Sequence, residues 1–282
     1  MKTPASKISL SEETFLGGWG RGAVILIAAL VLILVFFLSP WGRRFLRGES
    51  AAPNYLEQLN KRIRKNDKNP VAFSDRGRFW YDIGQYDRSC DDYTEAIRLK
   101  PDYADAYLNR GVAEQNLKKY TEALKDYGDA IRFDPANARA WNNRATLYRI
   151  MGMTKDAAKD LDECIKLNPD YLDGYFNRGQ LRKEMGDKKG ARADFIKVSS
   201  MPALNTDALT NRGMALMQLD RLDEALADFS AAIVQNPQFI PAYRGRSVVY
   251  MKMGDVNSAQ KDLYTVTQLK QQTQTNGGAQ PQ

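Results

Sequence analysis

Six arginines, Arg76, Arg110, Arg144, Arg178, Arg212 and Arg246, recur every 34 residues, and an aspartate follows each by sixteen: Asp92, Asp126, Asp160, Asp194, Asp228 and Asp262. A guanidinium and a carboxylate in fixed register can hold each other as a bidentate pair or present charge to a ligand. The residues just before the arginines form a second column: Asp75, Asn109, Asn143, Asn177, Asn211 and then Gly245. A carboxamide is donor and acceptor at once, so it can pair with one peptide unit of an extended chain without reading its side chains. Other chemistries are poorly supplied. The 282 residues include no histidine and two cysteines. That removes His-based acid–base catalysis, His-bearing metal sites and nucleophile–His pairs. No phosphate loop, nucleophile elbow or separate carboxylate pair stands outside the columns. The expectation is a non-enzymatic chain with no cofactor and no metal.

The columns need elements to position them. Small residues recur at Gly77, Gly111, Ala145, Gly179, Gly213 and Ser247, and again at Ser89, Ala123, Ala157, Ala191, Ala225 and Ala259. Large ones recur at Tyr93, Tyr127, Leu161, Phe195, Phe229 and Leu263, and Pro101, Pro135, Pro169 and Pro237 punctuate the series. Within one period, Tyr120, Ala123, Tyr127 and Ala130 follow the spacing of a buried helical stripe. Gly84, Gly152, Gly186 and Gly254 fall midway, where a helix C-terminus favours positive φ. Each period therefore reads as two antiparallel helices. Arg76 and Asp92 lie eight residues to either side of Gly84, which sets them at one height and predicts an inter-helix ion pair rather than a ligand site. A lone helix pair cannot bury its face, so the periods must stack.

This pattern resembles the tetratricopeptide repeat family over residues 70–270. The resemblance implies an all-α solenoid of six helix–turn–helix repeats whose first helices line a concave groove. It also implies that the Asn109, Asn143, Asn177 and Asn211 column faces that groove, with Arg78, Tyr81, Arg149, Phe176, Lys183 and Met214 around it. Leu108, Asn142, Gln180, Met217 and Met251 are further lining candidates, and Asp105, Asp173, Asp207 and Glu184 keep any single sign of charge from dominating. The family's chaperone-tail clamp is not supported, because Ser74/Arg78 and Leu108/Val112 occupy its first-pair places. The fourth repeat departs from the pattern: Pro202 sits one place early and Val198 replaces a small residue. Irregularity is expected near residues 199–204.

The flanks read differently. Residues 1–21 form an N-terminal segment, and no ionisable residue lies between Arg21 and Arg43. Residues 22–41 are expected to form one transmembrane helix, flanked by Trp19 and Trp41, ahead of the solenoid. Residues 42–69 are expected to be a basic juxtamembrane linker with a short amphipathic helix at 54–65, and residues 271–282 a disordered tail. The net charge of +7 falls mainly on residues 40–68, which hold eight basic and three acidic residues. That collar suggests anionic lipid and no nucleic acid as partner, and the positive-inside rule places the repeats on the cytoplasmic side. Export of the repeats to a periplasmic or extracytoplasmic side is the alternative.

The function expected on these grounds is a membrane-anchored protein–protein interaction scaffold that lays an extended peptide segment of a partner in the groove. Two alternatives stand beside it: a receptor-like component of a protein targeting or import system, and a subunit of an envelope assembly or secretion complex binding through the convex face or edges.

Overall fold

The computed structural model describes residues 51–277, all helix and connecting turn. The chain divides into two units, the second beginning at Arg62, and the first described helix is α1 (Ala51–Lys65). The second unit holds six helix pairs: α2 (Pro70–Asp82) with α3 (Tyr86–Leu99), α4 (Ala104–Asn116) with α5 (Tyr120–Phe133), and α6 (Ala138–Ile150) with α7 (Thr154–Leu167). The series continues with α8 (Leu172–Glu184) and α9 (Lys188–Ser199), α10 (Thr206–Gln218) and α11 (Leu222–Gln235), and α12 (Ile240–Met253) and α13 (Val256–Gly277).

The arginine and aspartate columns do meet across each pair. Every arginine donates from Nε and Nη2 to the two carboxylate oxygens of its aspartate, as in Arg76–Asp92 at 2.8 and 2.7 Å and Arg246–Asp262 at 2.8 and 2.7 Å. The aspartates are buried and the guanidiniums half-buried. The remaining edge of the arginine reaches backwards. Nη1 of Arg110, Arg178 and Arg246 donates to Thr94, Asp162 and Ser230 on the second helix of the preceding repeat. One side chain thus ties its own helix pair and joins that pair to its neighbour. Aromatics on the same helices support the guanidiniums, with Arg144 lying 4.9 Å from the Trp141 ring centre. The same aromatics bond to the carbonyls at the punctuating prolines: Trp141 Nε1 donates to that of Pro135 at 2.9 Å, and Tyr243 Oη to that of Pro237 at 3.1 Å.

The core is a stack of large side chains, each opposite a small one. Tyr93, Tyr127, Leu161, Phe195 and Phe229 are buried; Ala145 packs with Leu161, and glycines closely face the four aromatics. A Cβ at Gly179 would stand 2.7 Å from Phe195 Cε1. In the last repeat Leu263 holds the same place but is 48% exposed, with no further repeat packed over it among the described residues.

Four of the turns use the expected glycines, with φ between 76° and 84° at Gly152, Gly84, Gly254 and Gly186. Lys118 and Asp220 take the same left-handed conformation without the freedom of glycine. The fourth repeat is irregular where its sequence departs. Helix α9 ends at Ser199, and the longer connection seats Met201 in the core while leaving Leu204 exposed. Asn205 then caps α10, accepting from Ala208 N–H at 2.8 Å.

One expectation for the flanks is corrected. Among the described residues no helix is long and apolar enough to cross a membrane, so a single-pass membrane localisation with the repeats on a cytoplasmic side does not stand. The longest described helix, α13, carries Lys261, Gln268 and Gln271 along its length, groups that hydrocarbon would leave unpaired. Residues 22–41, where the span was expected, lie outside the described residues. At the other end, α13 runs helical to Gly277, into the segment expected to be a disordered tail.

Candidate functional site

Among the described residues each first helix touches the first helices of the adjoining repeats, whereas second helices touch no second helix of another repeat. The stack therefore bends with α2, α4, α6, α8, α10 and α12 on its inner side. The bend forms a concave pocket of about 700 Å³ against α2, α4 and α6, and it brings Asp207 of α10 to the pocket wall. Asp105, Asn109, Arg139, Asn143 and Asp207 supply polar groups, with Ser74, Asp75, Arg78, Tyr81, Asp82, Tyr93, Tyr103 and Val112 completing the lining. Val112 and Asn143 also border a smaller neighbouring cavity with Gln115, Tyr127 and Thr146.

The asparagine column divides between two environments. In the C-terminal half its members are engaged by the protein itself. Asn177 Nδ2 donates to Asn142 Oδ1 at 2.8 Å, and Asn211 Nδ2 donates to Asp173 Oδ1 at 2.8 Å. Arg149 pairs with Glu184 at 2.7 Å, and Lys183 donates to Gln218 at 2.7 Å. In the N-terminal half Asn109 only accepts, from Arg139 at 3.2 Å. The Asn143 carboxamide and the Arg78 guanidinium face the pocket with no hydrogen bond to another side chain among the described residues. Tyr81 Oη accepts from Asn116 Nδ2 at 3.2 Å, and Arg62 neutralises Asp75 at 2.7 Å.

Of the side chains expected around the groove, Arg78, Tyr81, Asn109 and Asn143 come together in this pocket, whereas Asn177, Asn211, Arg149 and Lys183 lie farther along, tied to neighbouring repeats. Phe176 belongs elsewhere. It is 6% exposed and packs against Phe195, ring centres 6.3 Å apart, because its position on α8 turns inward to the α9 partner. Leu108 is likewise core, and Met214 packs against the cores around Phe195 and Phe229. Arg139 and Tyr103 were missed. Arg139 belongs to a column one place into each first helix, Val71, Asp105, Arg139, Asp173, Asp207, Pro241, in which charge recurs every 34 residues.

Electrostatics mark two carboxyl groups. Burial, and then the nearby Asp173, raise Asp207 above the usual carboxylate range. Burial, then the adjacent Asp126 carboxylate, push Glu114 on α4 up to about 7. Glu114 Oε2 is buried without a hydrogen-bond partner. Both cysteines are free thiols, and burial pushes Cys90 up to about 11 and Cys164 up to about 12. Among the described residues no group of His, Cys, Asp and Glu could hold a metal ion.

Residues 77–117 match a family model described as TPR repeat, and residues 104–137, 138–171 and 206–239 match one described as tetratricopeptide repeat. These stretches are tetratricopeptide repeats (TPRs). Three of the matched windows begin at the first residue of α4, α6 and α10, so the sequence period and the structural period coincide. The irregular fourth TPR, residues 172–205, falls between matches. No curated protein matches the chain. Among solved structures, the TPR array is similar to a chain of the APC/C hetero-tetramer Cut9–Hcn1, with a TM-score of 0.62 at 13% identity over 77% of this chain and 43% of that one. It is also similar to a thermophilic TPR protein of Thermus thermophilus, with a TM-score of 0.54 at 18% identity over 64% of this chain and 99% of that one. At these identities the likeness is one of fold. The chain spans less than half the length of the first of these relatives.

Proposed function

We propose that the protein is a protein–protein interaction scaffold that receives an extended segment of a partner in the pocket formed by α2, α4 and α6. One observation carries this reading. On the inner surface the C-terminal half spends its polar groups on bonds between repeats, whereas the Asn143 carboxamide and the Arg78 guanidinium remain available in a concave space. An extended strand needs such groups, because its own N–H and C=O lose water on docking and must be paired again. Asn143 supplies both a donor and an acceptor, and the Asn109 Nδ2 supplies a second donor one repeat earlier. Tyr81 and Val112 add apolar contact.

The reading is tested with dodecapeptides selected from a random displayed library on the full chain. Peptides carried by the pocket crosslink to benzoylphenylalanine placed at Val112, and lose affinity about tenfold on Asn143→Ala with the thermal midpoint unchanged. Crosslinking from Val234, an exposed side chain on α11, with none from Val112 would move binding to a second-helix face and refute the groove.

A further inference from the structure

We propose that the pocket selects a partner segment carrying a lysine or arginine, whose cationic head is received by Asp105 and Asp207 while Asn109 and Asn143 hold the peptide backbone. The inference rests on the peptide-binding reading above and adds the chemistry of the side chain that is read.

The charge of the lining carries it. Asp75, Asp82, Asp105 and Asp207 face the same space as Arg78 and Arg139. Asp75 is already answered by Arg62 from outside the lining. Three carboxylates then stand against two guanidiniums, and one of those, Arg139, is directed to Asn109 Oδ1. The pocket is short of one cation. Asp105 and Asp207 occupy equivalent places on α4 and α10, three repeats apart, and the winding of the stack brings both to the lining of one pocket. Among the described residues neither makes a hydrogen bond or ion pair with another side chain. Asp207 is also partly withdrawn from water, and its carboxyl is raised by that burial and by Asp173. A carboxylate so placed gains more from an incoming cation than an exposed one, since much of its hydration is already lost.

The surroundings suit a long basic side chain in particular. Tyr81 and Tyr103 line the same space, offering aromatic surface to an alkyl stem and to the cation itself. An acidic side chain would instead meet an existing excess of negative charge.

The test uses dodecapeptides selected on the full chain from a random displayed library. Lys or Arg should be enriched at one fixed position, and its replacement by Gln should weaken binding about tenfold. Asp105→Asn combined with Asp207→Asn should abolish the difference between the Lys and Gln peptides, with circular dichroism unchanged. Affinity of the Lys peptide for the unaltered chain should fall as salt rises, a readout that does not depend on the variant folding. Selected peptides that crosslink at Val112 but show no basic preference overturn this inference and leave the groove reading standing. Failure to select any peptide that crosslinks there overturns both.

Discussion

Arg110 and Asp126 clasp each other edge to edge, Nε to Oδ2 at 2.7 Å and Nη2 to Oδ1 at 2.8 Å, with the aspartate 2% exposed. Asp126→Asn keeps the volume but leaves the guanidinium half-buried without its counter-charge. Breaking one side of a buried pair costs about 3–5 kcal/mol, and partial exposure of Arg110 places the expected loss near the lower end. Urea denaturation measures it, and a loss below about 1 kcal/mol would mean that the column is surface decoration.

Glu114 lies beside the same aspartate and provides a pH test. Its folded value of about 7 stands above its ordinary 4.5, so the folded state binds the proton more tightly than the unfolded chain. The stabilisation from that proton is complete below pH 4.5 and is lost as pH rises to about 7. Glu114→Gln should therefore match the parent near pH 4.5 and exceed it by about 1–2 kcal/mol at about pH 8, after allowance for solvent screening. The difference between the two stability curves isolates this group, and a flat difference refutes the assignment. In the fourth repeat Arg182 stands in the equivalent place and donates to Asp194 at 2.8 Å. The second repeat has a carboxyl where the fourth has a third clamp.

Two glycines in helices should respond oppositely to one methyl group. Gly179→Ala drives a Cβ against the Phe195 ring and should destabilise by about 1–3 kcal/mol. Gly128 has nothing within 4 Å of an added Cβ, and it sits inside α5. Gly128→Ala should stabilise by about 0.5–1 kcal/mol through helix propensity. Paired thermal melts decide both signs.

The large column gives a contrast between interior and end. Phe229 is 0% exposed and Leu263 is 48% exposed at equivalent places. Phe229→Ala should cost about 3–5 kcal/mol, and Leu263→Ala no more than about 1 kcal/mol. Equal losses would show that the last repeat is covered by something further.

The ion pairs, turn glycines and repeat boundaries were legible because each is fixed by a short-range rule repeated six times. Arg76 and Asp92 are equidistant from a turn, and helix geometry then sets their height. The division of the asparagine column was not legible. Asn143 and Asn177 have similar local settings, and what separates them is whether a side chain of a neighbouring repeat, such as Asn142, reaches across. Thirty-five residues before Asn177 stands Asn142, while the same offset from Asn143 reaches the apolar Leu108, and only the stacked helices show that this offset is the one that touches. Phe176 was misplaced for a related reason: helical spacing puts it next to Asn177, while only the packing of α9 shows which side is inner. Asp207 joins α4 in one pocket through winding accumulated over three repeats.

The bonds along the inner surface join Tyr81 to Asn116, Asn142 to Asn177, Arg149 to Glu184 and Lys183 to Gln218, each spanning 35 residues. They act as tie-rods on the inside of a coil. Opening the coil stretches the inner edge first, so these links resist extension while leaving compression free. Among the described residues the joints from α6 to α8 and from α8 to α10 each carry at least two inner-surface bonds, whereas those from α2 to α4 and from α4 to α6 carry one each, which stiffens the middle of the coil. The pocket lies over the more lightly tied joints, so on the proposed reading a partner of varying girth would be admitted by flexure there without disturbing the remaining repeats.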